Sequence, residues 1–408
     1  MKFKHLKIDD WKQFKNIDIE FHPNLTILTG ANGSGKTTIL NLLAQHFGWY
    51  INELATPAKN KKTGIINFFT RLFNDEQKKE TNIGQLNYSN GTKTDLNIPV
   101  ENENAQYSIH IANIQKVNGL NIPSHRPVFF YQSIPHISTT KRTKLQAYQL
   151  YFTSIYQKLL SENSRYKPSN YYIKETLLNW AIGGSGNEFI EADSELRSYF
   201  VGFENVLKQI LPKSLGFKSI AIRSYEIVLV TETGEFMLDA VSGGISAIID
   251  LGWQIFNYSE QNESSITILI DEIENHLHAT MQRSILPSII SAFPNVQFII
   301  STHSPLIIGS VKDSNVYAFR YNEDKRIFNE CLDLINKAKS ANEILNEVLG
   351  VPFTMPIWVE ETLNGIIKKH SGREMNETLF NEMREDLKIL GLEDLMPLAI
   401  DKTLKNKL

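Results

Sequence analysis

The sequence predicts an α/β protein built on a mixed β-sheet, with an inserted helical subdomain and a helical C-terminal extension. Three observations predict this fold class. An apolar strand pattern at Leu25–Thr29 runs into a glycine-rich loop and then a helical pattern. Two strongly apolar strand patterns follow much later, at 265–270 and 296–301. Between the first strand and these two, a helical pattern extends from 141 to about 215.

The composition is that of an ordinary soluble globular protein. Of the 408 residues, 42% are hydrophobic and 21% are charged, and the net charge of −3 argues against a surface coated in positive potential. The single cysteine, Cys331, excludes an intramolecular disulfide and a cysteine-based zinc cluster. No signal-peptide or membrane-span pattern occurs. We therefore expect a soluble, cytoplasmic protein with no membrane partner.

Local patterns divide the chain into four segments. Within the first segment, Asn90-Gly91 predicts a β-hairpin in a β-rich insertion, 64–73 predicts a short basic amphipathic helix, and 126–132 predicts a buried strand. After Asn322 the pattern is mostly that of amphipathic helices. The four segments are a glycine-loop part with the β-rich insertion (1–140), a helical insertion (141–216), a return to strands (217–322) and a helical C-terminal region (323–408).

The stretch "GANGSGKTT" has the GxxxxGK[ST] spacing of a phosphate-binding loop. Glycines let backbone N–H groups turn inward to cradle phosphate, Lys36 reaches the β- and γ-phosphates, and Thr37 offers a hydroxyl to Mg²⁺. An accidental glycine-rich turn is the alternative, and the strand before the loop and the helix after it argue against that. The residues predicted to contact ATP phosphates are Gly30, Ala31, Asn32, Gly33, Ser34, Gly35, Lys36, Thr37 and Thr38.

An acidic pair ends the apolar strand in "SITILIDEIENHLH". Asp271 is placed to hold Mg²⁺ through water, and Glu272 is placed to polarise an attacking water as general base. The alternative is an acidic first turn that complements a helix dipole. His276 and His278 follow without a third metal ligand in the sequence, so a surface or packing role is expected of them.

Two further stretches gain meaning from this context. In "STHSP", His303 follows the next apolar strand, where a histidine can hydrogen-bond a γ-phosphate, although such a residue is otherwise more often structural. In "VSGG", Ser242, Gly243 and Gly244 by themselves indicate only a turn before a helix. The spacing from Ser242 to Asp271 leaves room for one helix, a loop and a strand.

These motifs, in this order, resemble the ABC-type ATPase superfamily, specifically its RecF/SMC/OLD-like branch. The resemblance also includes "QFKNIDIEF" and covers roughly the first 130 residues and 217–320. It implies an ABC-type ATPase head, with a mixed sheet around the phosphate loop and an antiparallel β subdomain. In this family two heads sandwich two ATP molecules, and the Ser-Gly-Gly signature of each head completes the site of the other.

The resemblance implies roles for individual residues, with ATP and Mg²⁺ as ligands. Glu272 and His303 become the catalytic base and the switch histidine, and Thr37 and Asp271 become residues of the Mg²⁺ site. Ser242, Gly243 and Gly244 act in trans, so the chain is expected to form a homodimer or a higher even oligomer. Gln132 is chosen to contact Mg²⁺ and the attacking water, with a plain strand-terminal glutamine as its alternative. Arg126 is a secondary candidate for phosphate contact or for structural pairing.

A narrower resemblance is to the ATPase subunits of bacterial anti-phage systems, such as the Septu and PARIS ATPases and those that accompany some retrons. OLD nucleases add a Toprim domain whose acidic constellation includes Asp-x-Asp, and this sequence contains no Asp-x-Asp. We therefore expect effector chemistry in a separate nuclease subunit. The C-terminal helices are either a docking surface for that partner or a packed helical lid.

Two other functions compete with a defence sensor and scaffold. The first is a RecF-like repair ATPase that binds DNA directly through basic side chains. The second, the ATPase of a membrane transporter, fits the N-terminal strands and the helical insertion poorly. The candidate DNA contacts are Lys59, Lys61, Lys62, Arg71, Lys141, Arg142 and Lys144.

Overall fold

The computed structural model describes residues 1–59, 66–69, 80–99, 101–102, 105–160, 167–259, 266–350, 356–370 and 376–405. Met1–Ile344 forms one compact unit and Leu345–Leu408 forms a second. Among the helices of the described residues, none is long and apolar enough to cross a bilayer.

The strands in chain order are β1 (Phe3–Trp11), β2 (Phe14–Glu20), β3 (Leu25–Gly30), β4 (Glu53–Leu54), β5 (Thr56–Lys59), β6 (Ile66–Phe69), β7 (Glu80–Tyr88), β8 (Lys93–Pro99), β9 (Glu101–Asn102), β10 (Gln106–Tyr107), β11 (His110–Ile111), β12 (Gly119–Ile122), β13 (Phe217–Arg223), β14 (Glu226–Thr231), β15 (Glu235–Met237), β16 (Ile266–Ile270), β17 (Val296–Thr302), β18 (Asn315–Tyr321) and β19 (Ile327–Cys331). The α-helices are α1 (Lys36–Ala44), α2 (Lys144–Leu160), α3 (Ser169–Ser185), α4 (Ser194–Ile210), α5 (Gly243–Ser259), α6 (Ala279–Ala292), α7 (Pro305–Ile308), α8 (Leu334–Lys337), α9 (Ala341–Glu343), α10 (Ile357–His370), α11 (Glu377–Ile389) and α12 (Met396–Lys405).

A mixed sheet of eleven strands forms the centre of the first unit, in the order β11-β8-β7-β1-β2-β19-β18-β3-β17-β16-β12. The strands from β18 to β12 pair in parallel. The strands from β11 to β2 pair antiparallel, and β19 pairs antiparallel with β18 and parallel with β2. This is the mixed sheet with an antiparallel β part that the sequence predicts.

The parallel half positions the loops that matter here. All side chains of β3, β16 and β17 are buried, as expected of parallel strands that are covered on both faces. Because β3, β16 and β17 are adjacent and parallel, their carboxyl ends open at the same edge of the sheet. The phosphate loop, Asp271 and His303 all follow these three ends.

The helical insertion contains α2, α3 and α4, with α5 packed against it. Trp180 of α3, Phe203 of α4 and Trp253 of α5 form a buried aromatic cluster that joins the three helices. Asp193 caps α4 by accepting hydrogen bonds from the backbone N–H groups of Glu195 and Leu196, as expected of an N-cap aspartate. A separate three-stranded sheet, β13-β14-β15, leads into α5.

The structure confirms one local prediction in the N-terminal segment and corrects two. Asn90-Gly91 joins β7 to β8 in a hairpin, with Gly91 at a φ of 85°. The helix predicted at 64–73 is wrong at 66–69, where β6 pairs with β5 and β9, and the rest of that stretch lies outside the described residues. The buried strand predicted at 126–132 is also wrong, because this segment has no regular structure and its backbone bonds to side chains instead.

The helical pattern expected after Asn322 begins later than predicted. Ile327–Cys331 is the strand β19, which pairs with β18 and, at Ile327, with Phe14 of β2. This strand joins the parallel half of the sheet to the antiparallel half, which explains why it is a strand. The second unit consists of α10, α11 and α12 around its own apolar core, which includes Leu363, Met383 and Leu387. The four-segment division of the chain stays a prediction.

Candidate functional site

The phosphate loop, Gly30–Thr38, has a backbone that only glycine allows at its key positions. Gly30, Gly33 and Gly35 have positive φ angles of 142°, 77° and 84°. A Cβ atom at Gly35 would lie 2.2 Å from the ring of Phe14, and one at Gly30 would lie 2.5 Å from the carbonyl oxygen of Phe319. The loop is therefore pressed against β2 and β18, with Ala31, Asn32 and Gly33 exposed at its crest.

Lys36 begins α1 and folds back over the loop. Its ammonium donates hydrogen bonds to the carbonyl oxygens of Gly30 and Ala31, both at 3.0 Å. Burial lowers the pKa of Lys36 to about 8, against the opposing effect of nearby carboxylates, chiefly that of Asp271. A buried ammonium that is held only by neutral acceptors gains from an anionic oxygen, so phosphate fits this position.

Thr37, Asp271 and Ser301 form a hydrogen-bonded cluster at the ends of the parallel strands. The Thr37 hydroxyl lies 3.0 and 3.2 Å from the two carboxylate oxygens of Asp271. The Ser301 hydroxyl donates to Asp271 and accepts the backbone N–H of Glu272 at 2.8 Å. Hydroxyl and carboxylate oxygens are the ligands that Mg²⁺ prefers, so the donor set of Thr37 and Asp271 fits this ion.

Glu272 is held in a strained conformation beside His303. Its φ of 45° is unusual for a residue with a side chain, and such strain is found at sites where the surroundings fix the geometry. One carboxylate oxygen of Glu272 accepts from the Asn275 side chain at 2.8 Å, and the other lies 3.7 Å from Nε2 of His303. Both side chains are partly exposed, so a substrate can reach them.

The sequence did not reveal the parts played by Glu274 and Asn275. The carboxylate of Glu274 accepts hydrogen bonds from the backbone N–H of His303 and from the Thr302 hydroxyl, so it holds the backbone at His303. Asn275 joins Glu272 to the carbonyl oxygen of Ser124. The only available signal was the acidic and amide residues after Glu272 in "DEIEN", which are equally typical of a helix N-terminus.

Two roles were predicted for Arg126, phosphate contact and structural pairing, and its contacts are structural. Its buried guanidinium donates to the carbonyl oxygens of Asp271, Glu272, Ile273 and Asn275, at 3.1 to 3.4 Å. We call the segment Asp271–Asn275 the acidic loop. One side chain thus satisfies four of its five carbonyl groups, which restrains the backbone of the loop.

The backbone of Gln132 is held by α3 and by the turn before α5. Its backbone N–H donates to Asp239 at 3.1 Å, and its carbonyl oxygen accepts from Lys174 at 2.6 Å. In the part of the chain that the structure describes, no hydrogen bond joins the Gln132 side chain to Thr37 or Asp271. The Mg²⁺ contact of Gln132 stays a prediction.

Ser242–Gly244, the signature turn, lies at the start of the 17-residue helix α5. Ser242 is exposed, and a Cβ atom at Gly243 would meet open space. A Cβ atom at Gly244 would lie 3.0 Å from the carbonyl oxygen of His276, so the backbone packs closely there. Over the described ranges, no hydrogen bond links the signature turn to the phosphate loop of the same chain.

Two predicted clusters are used for structure. The exposed His278 ring accepts the backbone N–H of Thr280 and caps α6, which agrees with the surface or packing role expected of it. Lys141 pairs with two carboxylates at the start of α4, Arg142 pairs with a carboxylate of α3, and the buried Lys144 ammonium lies 3.4 Å from a ring centroid of α5. Each of these three cations is therefore already engaged within the fold, and their contact with DNA stays a prediction. The side chains of Lys59, Lys61, Lys62 and Arg71 lie outside the described residues.

The fold and the site define a P-loop ATPase. A parallel strand leads into the phosphate loop, and a neighbouring strand ends in a carboxylate hydrogen-bonded to the threonine of that loop. The RecF/RecN/SMC N terminal domain matches residues 2–326. The chain therefore belongs to this family of ATPases, as the motifs predicted.

Three relatives are similar to this chain. The Septu protein PtuA of Bacillus thuringiensis is 22% identical over 400 residues, which cover 92% of this chain and 91% of that protein. The retron Vc95 probable ATPase of Vibrio cholerae serotype O1 biovar El Tor is 47% identical over 49 residues, 12% of this chain and 10% of that protein. The DNA replication and repair protein RecF of Lactobacillus acidophilus is 26% identical over 176 residues, covering 41% of this chain and 44% of that protein. The chain is thus an ATPase related to the Septu and retron proteins.

Proposed function

We propose that this chain binds and hydrolyses ATP as a dimer and acts as the sensor and scaffold of a cytoplasmic anti-phage complex that controls a separate nuclease. One observation carries the proposal. Thr37, Asp271 and Glu272 are assembled at one edge of the sheet, while the signature turn of the same head is exposed and has no hydrogen bond to this site among the described residues. The head thus holds all but one part of an ATP site.

The ligands of this site follow from its donors. The backbone N–H groups of the phosphate loop and the ammonium of Lys36 bind the phosphates, and Thr37 and Asp271 hold Mg²⁺, together with Gln132. Bound Mg²⁺ neutralises the charge that develops on the phosphate oxygens during hydrolysis. Lys36 exchanges its two carbonyl acceptors for phosphate oxygens when ATP binds.

Hydrolysis depends on the partly exposed side chains of the acidic loop and its neighbour. Glu272 accepts the proton of the attacking water, and Asn275 orients its carboxylate for that step. His303 lies 3.7 Å from Glu272 and hydrogen-bonds the γ-phosphate, so it responds when that phosphate leaves. Glu274 keeps the backbone of His303 in place through this cycle.

The missing part comes from a second head. Ser242, Gly243 and the N-terminal end of α5 present backbone N–H groups and a positive dipole end to an anion. That anion is the γ-phosphate on the opposite head, so two heads enclose two ATP molecules. Assembly is then a dimer or a higher even oligomer that ATP stabilises.

The control of a separate nuclease is supported by the similarity to the Septu protein, which extends over 92% of this chain. The second unit offers a surface for such a partner. In α10, the side chains of Ile357 and Trp358 are 74% and 62% exposed, which is unusual for large apolar residues. We assign this unit to partner docking and no nuclease site to the chain itself.

The test of the ATPase assignment is Glu272→Gln. Turnover should fall about 10²- to 10⁴-fold, because the amide cannot take a proton from water. ATP binding should persist, and the dimer should become long-lived in ATP when mass is measured by light scattering. The matched control is Glu191→Gln, an exposed carboxylate between α3 and α4, which should turn over as the wild type does.

Two results would contradict the proposal. Wild-type turnover by Glu272→Gln would show that Glu272 is not the general base. Cleavage of DNA or RNA by the purified chain, lost on Lys36→Ala, would show a nuclease in this chain and end the separate-effector part.

A further inference from the structure

A buried polar network lies between α3 and the turn that precedes α5. Its centre is Lys174 of α3, whose side chain is only 1% exposed. The ammonium of Lys174 donates to the carbonyl oxygen of Gln132 and to Asp239, both at 2.6 Å. It also donates to the Glu226 carboxylate at 2.7 Å. All three donor positions of this buried cation are therefore used.

Asp239 is the second centre of this network, and its side chain is 2% exposed. Besides Lys174, it accepts the side-chain amide of Asn170 at 2.6 Å and the backbone N–H of Gln132 at 3.1 Å. The same Asn170 amide donates to the carbonyl oxygen of Phe130 at 2.6 Å. The segment 130–132 pairs with no strand. Instead, α3 and Asp239 hold three of its backbone groups.

The position of Asp239 gives the network its significance. Asp239 lies in a 3₁₀ turn, Leu238–Ala240, only three residues before Ser242. Breaking a buried ion pair leaves a charge without compensation, so neither partner can move alone. The contacts of Lys174 therefore fix the turn from which the signature emerges, and none of them is with the phosphate loop.

We propose that Lys174 and Asp239 are a positioning pair that sets the signature turn for the nucleotide of the partner head. This inference rests on the proposed ATP-sandwich dimer. Lys174 touches neither nucleotide and acts through Asp239 on Ser242. A displacement of about 1 Å at a group that contacts the transition state can cost about 100-fold in rate. A pair that sets the position of the signature turn therefore affects the rate of hydrolysis.

Lys174→Met is the first test, because it keeps the side-chain length and removes the charge. Turnover should fall at least about tenfold, in line with a displaced group at the transition state. The dissociation constant for ATP, measured in a Ser242→Arg background that blocks hydrolysis, should change less than about twofold, since the phosphate loop keeps its contacts. Loss of ATP affinity in parallel with turnover would overturn the proposal.

A neighbouring ion pair supplies the matched control. Glu175 of α3 pairs with Arg142 at 2.8 Å, and these side chains are 9% and 11% exposed, but this pair lies on a stretch that does not lead to Ser242. Glu175→Gln should lower the unfolding midpoint and leave turnover at the permissive temperature near that of the wild type. Equal loss of turnover in Glu175→Gln and Lys174→Met would reduce Lys174 to a structural residue.

Two further variants keep the test decisive if Lys174→Met does not fold. The double variant Lys174→Met/Asp239→Asn removes both charges, so no unpaired charge is buried, and it should fold with the same turnover defect. Lys174→Arg retains the charge and should recover part of the turnover. Wild-type turnover in the double variant would overturn the proposal.

Mixing pairs of variants distinguishes a failure of this inference from a failure of the proposed function. Lys36→Ala supplies an intact signature turn but no phosphate site, so mixing it with Lys174→Met should give more turnover than the sum of the two variants. If Ser242→Arg is rescued by Lys36→Ala and Lys174→Met is not, only the positioning pair fails. If neither is rescued, the sandwich dimer fails.

Discussion

The acidic loop and the signature turn differ in how each is held. The acidic loop is fixed from within its own head, because Arg126 binds four of its carbonyl groups and Asn275 restrains Glu272. The signature turn is exposed at Ser242 and open at Gly243, and it packs closely only at Gly244.

The difference indicates where this head is complete. In the proposed mechanism Glu272 must not move during water activation, and it carries backbone strain and is restrained by several neighbours. Groups that must meet a separate molecule are left accessible and are positioned only from behind. In the proposed ATP-sandwich dimer, a single head is therefore prepared for chemistry on one side of the phosphates and for assembly on the other.

The largest expected effect concerns the signature turn, the more open of the two regions. Ser242→Arg should leave ATP binding by the single head intact and reduce hydrolysis to background, because the substituted signature turn no longer completes the ATP site of the partner head. An equimolar mixture with Lys36→Ala should recover about a quarter of wild-type turnover, since half of randomly paired dimers carry one intact site. Steady-state phosphate release measures both results, and a mixture that stays at background would contradict action in trans.

An intermediate effect is expected at the acidic loop, which is held within its own head. Arg126→Lys retains a charge but cannot span four carbonyl groups, so the free energy of unfolding should fall by about 1–3 kcal/mol. Turnover should fall with it, while the affinity for ATP stays close to that of the wild type. Urea unfolding and phosphate release provide the measurements. Arg223→Lys, in an exposed pair with Glu235, is the control and should leave the free energy of unfolding close to that of the wild type.

The smallest effect concerns Asp250, which links the two regions through α5 and Arg126. Asp250 of α5 is fully buried, and burial raises its pKa to about 7 against the opposing charge of Arg126. Between about pH 4 and 7 the folded chain therefore holds a proton that the unfolded chain releases, so stability falls as pH rises through this window.

Asp250→Asn cannot titrate, so it should remove this contribution. The slope of unfolding free energy against pH should differ from that of the wild type by at most about 1.4 kcal/mol per pH unit. Urea unfolding at pH 5, 6 and 7 gives the two slopes. Parallel slopes would mean that Asp250 does not change its charge in this range.

The sequence was most informative where function depends on local spacing. The phosphate loop could be predicted because its backbone shape requires Gly30 and Gly35 at fixed distances from Lys36. The place of Asp271 and Glu272 at the end of a strand could be predicted because the residues before them are strongly apolar. In each case the decisive residues lie within one short stretch of chain.

Prediction failed where the partners are distant in sequence. The apolar run at 126–132 has the pattern of a buried strand, but Phe130 and Tyr131 are exposed and the backbone bonds to side chains about 40 and 107 positions away. No periodicity records such contacts. The short run at 66–69 is a separate case, because a few apolar residues do not distinguish a strand from a helix.

The contact between Phe14 and Gly35 limits how this protein can be recombined with its relatives. The loop owes its shape partly to an aromatic ring on β2, a strand of the antiparallel half. A chimaera that exchanges the N-terminal strands alone would bring a foreign residue against the loop. Exchanging residue 14 and the loop together would preserve the fit, so these two distant stretches form one module for engineering.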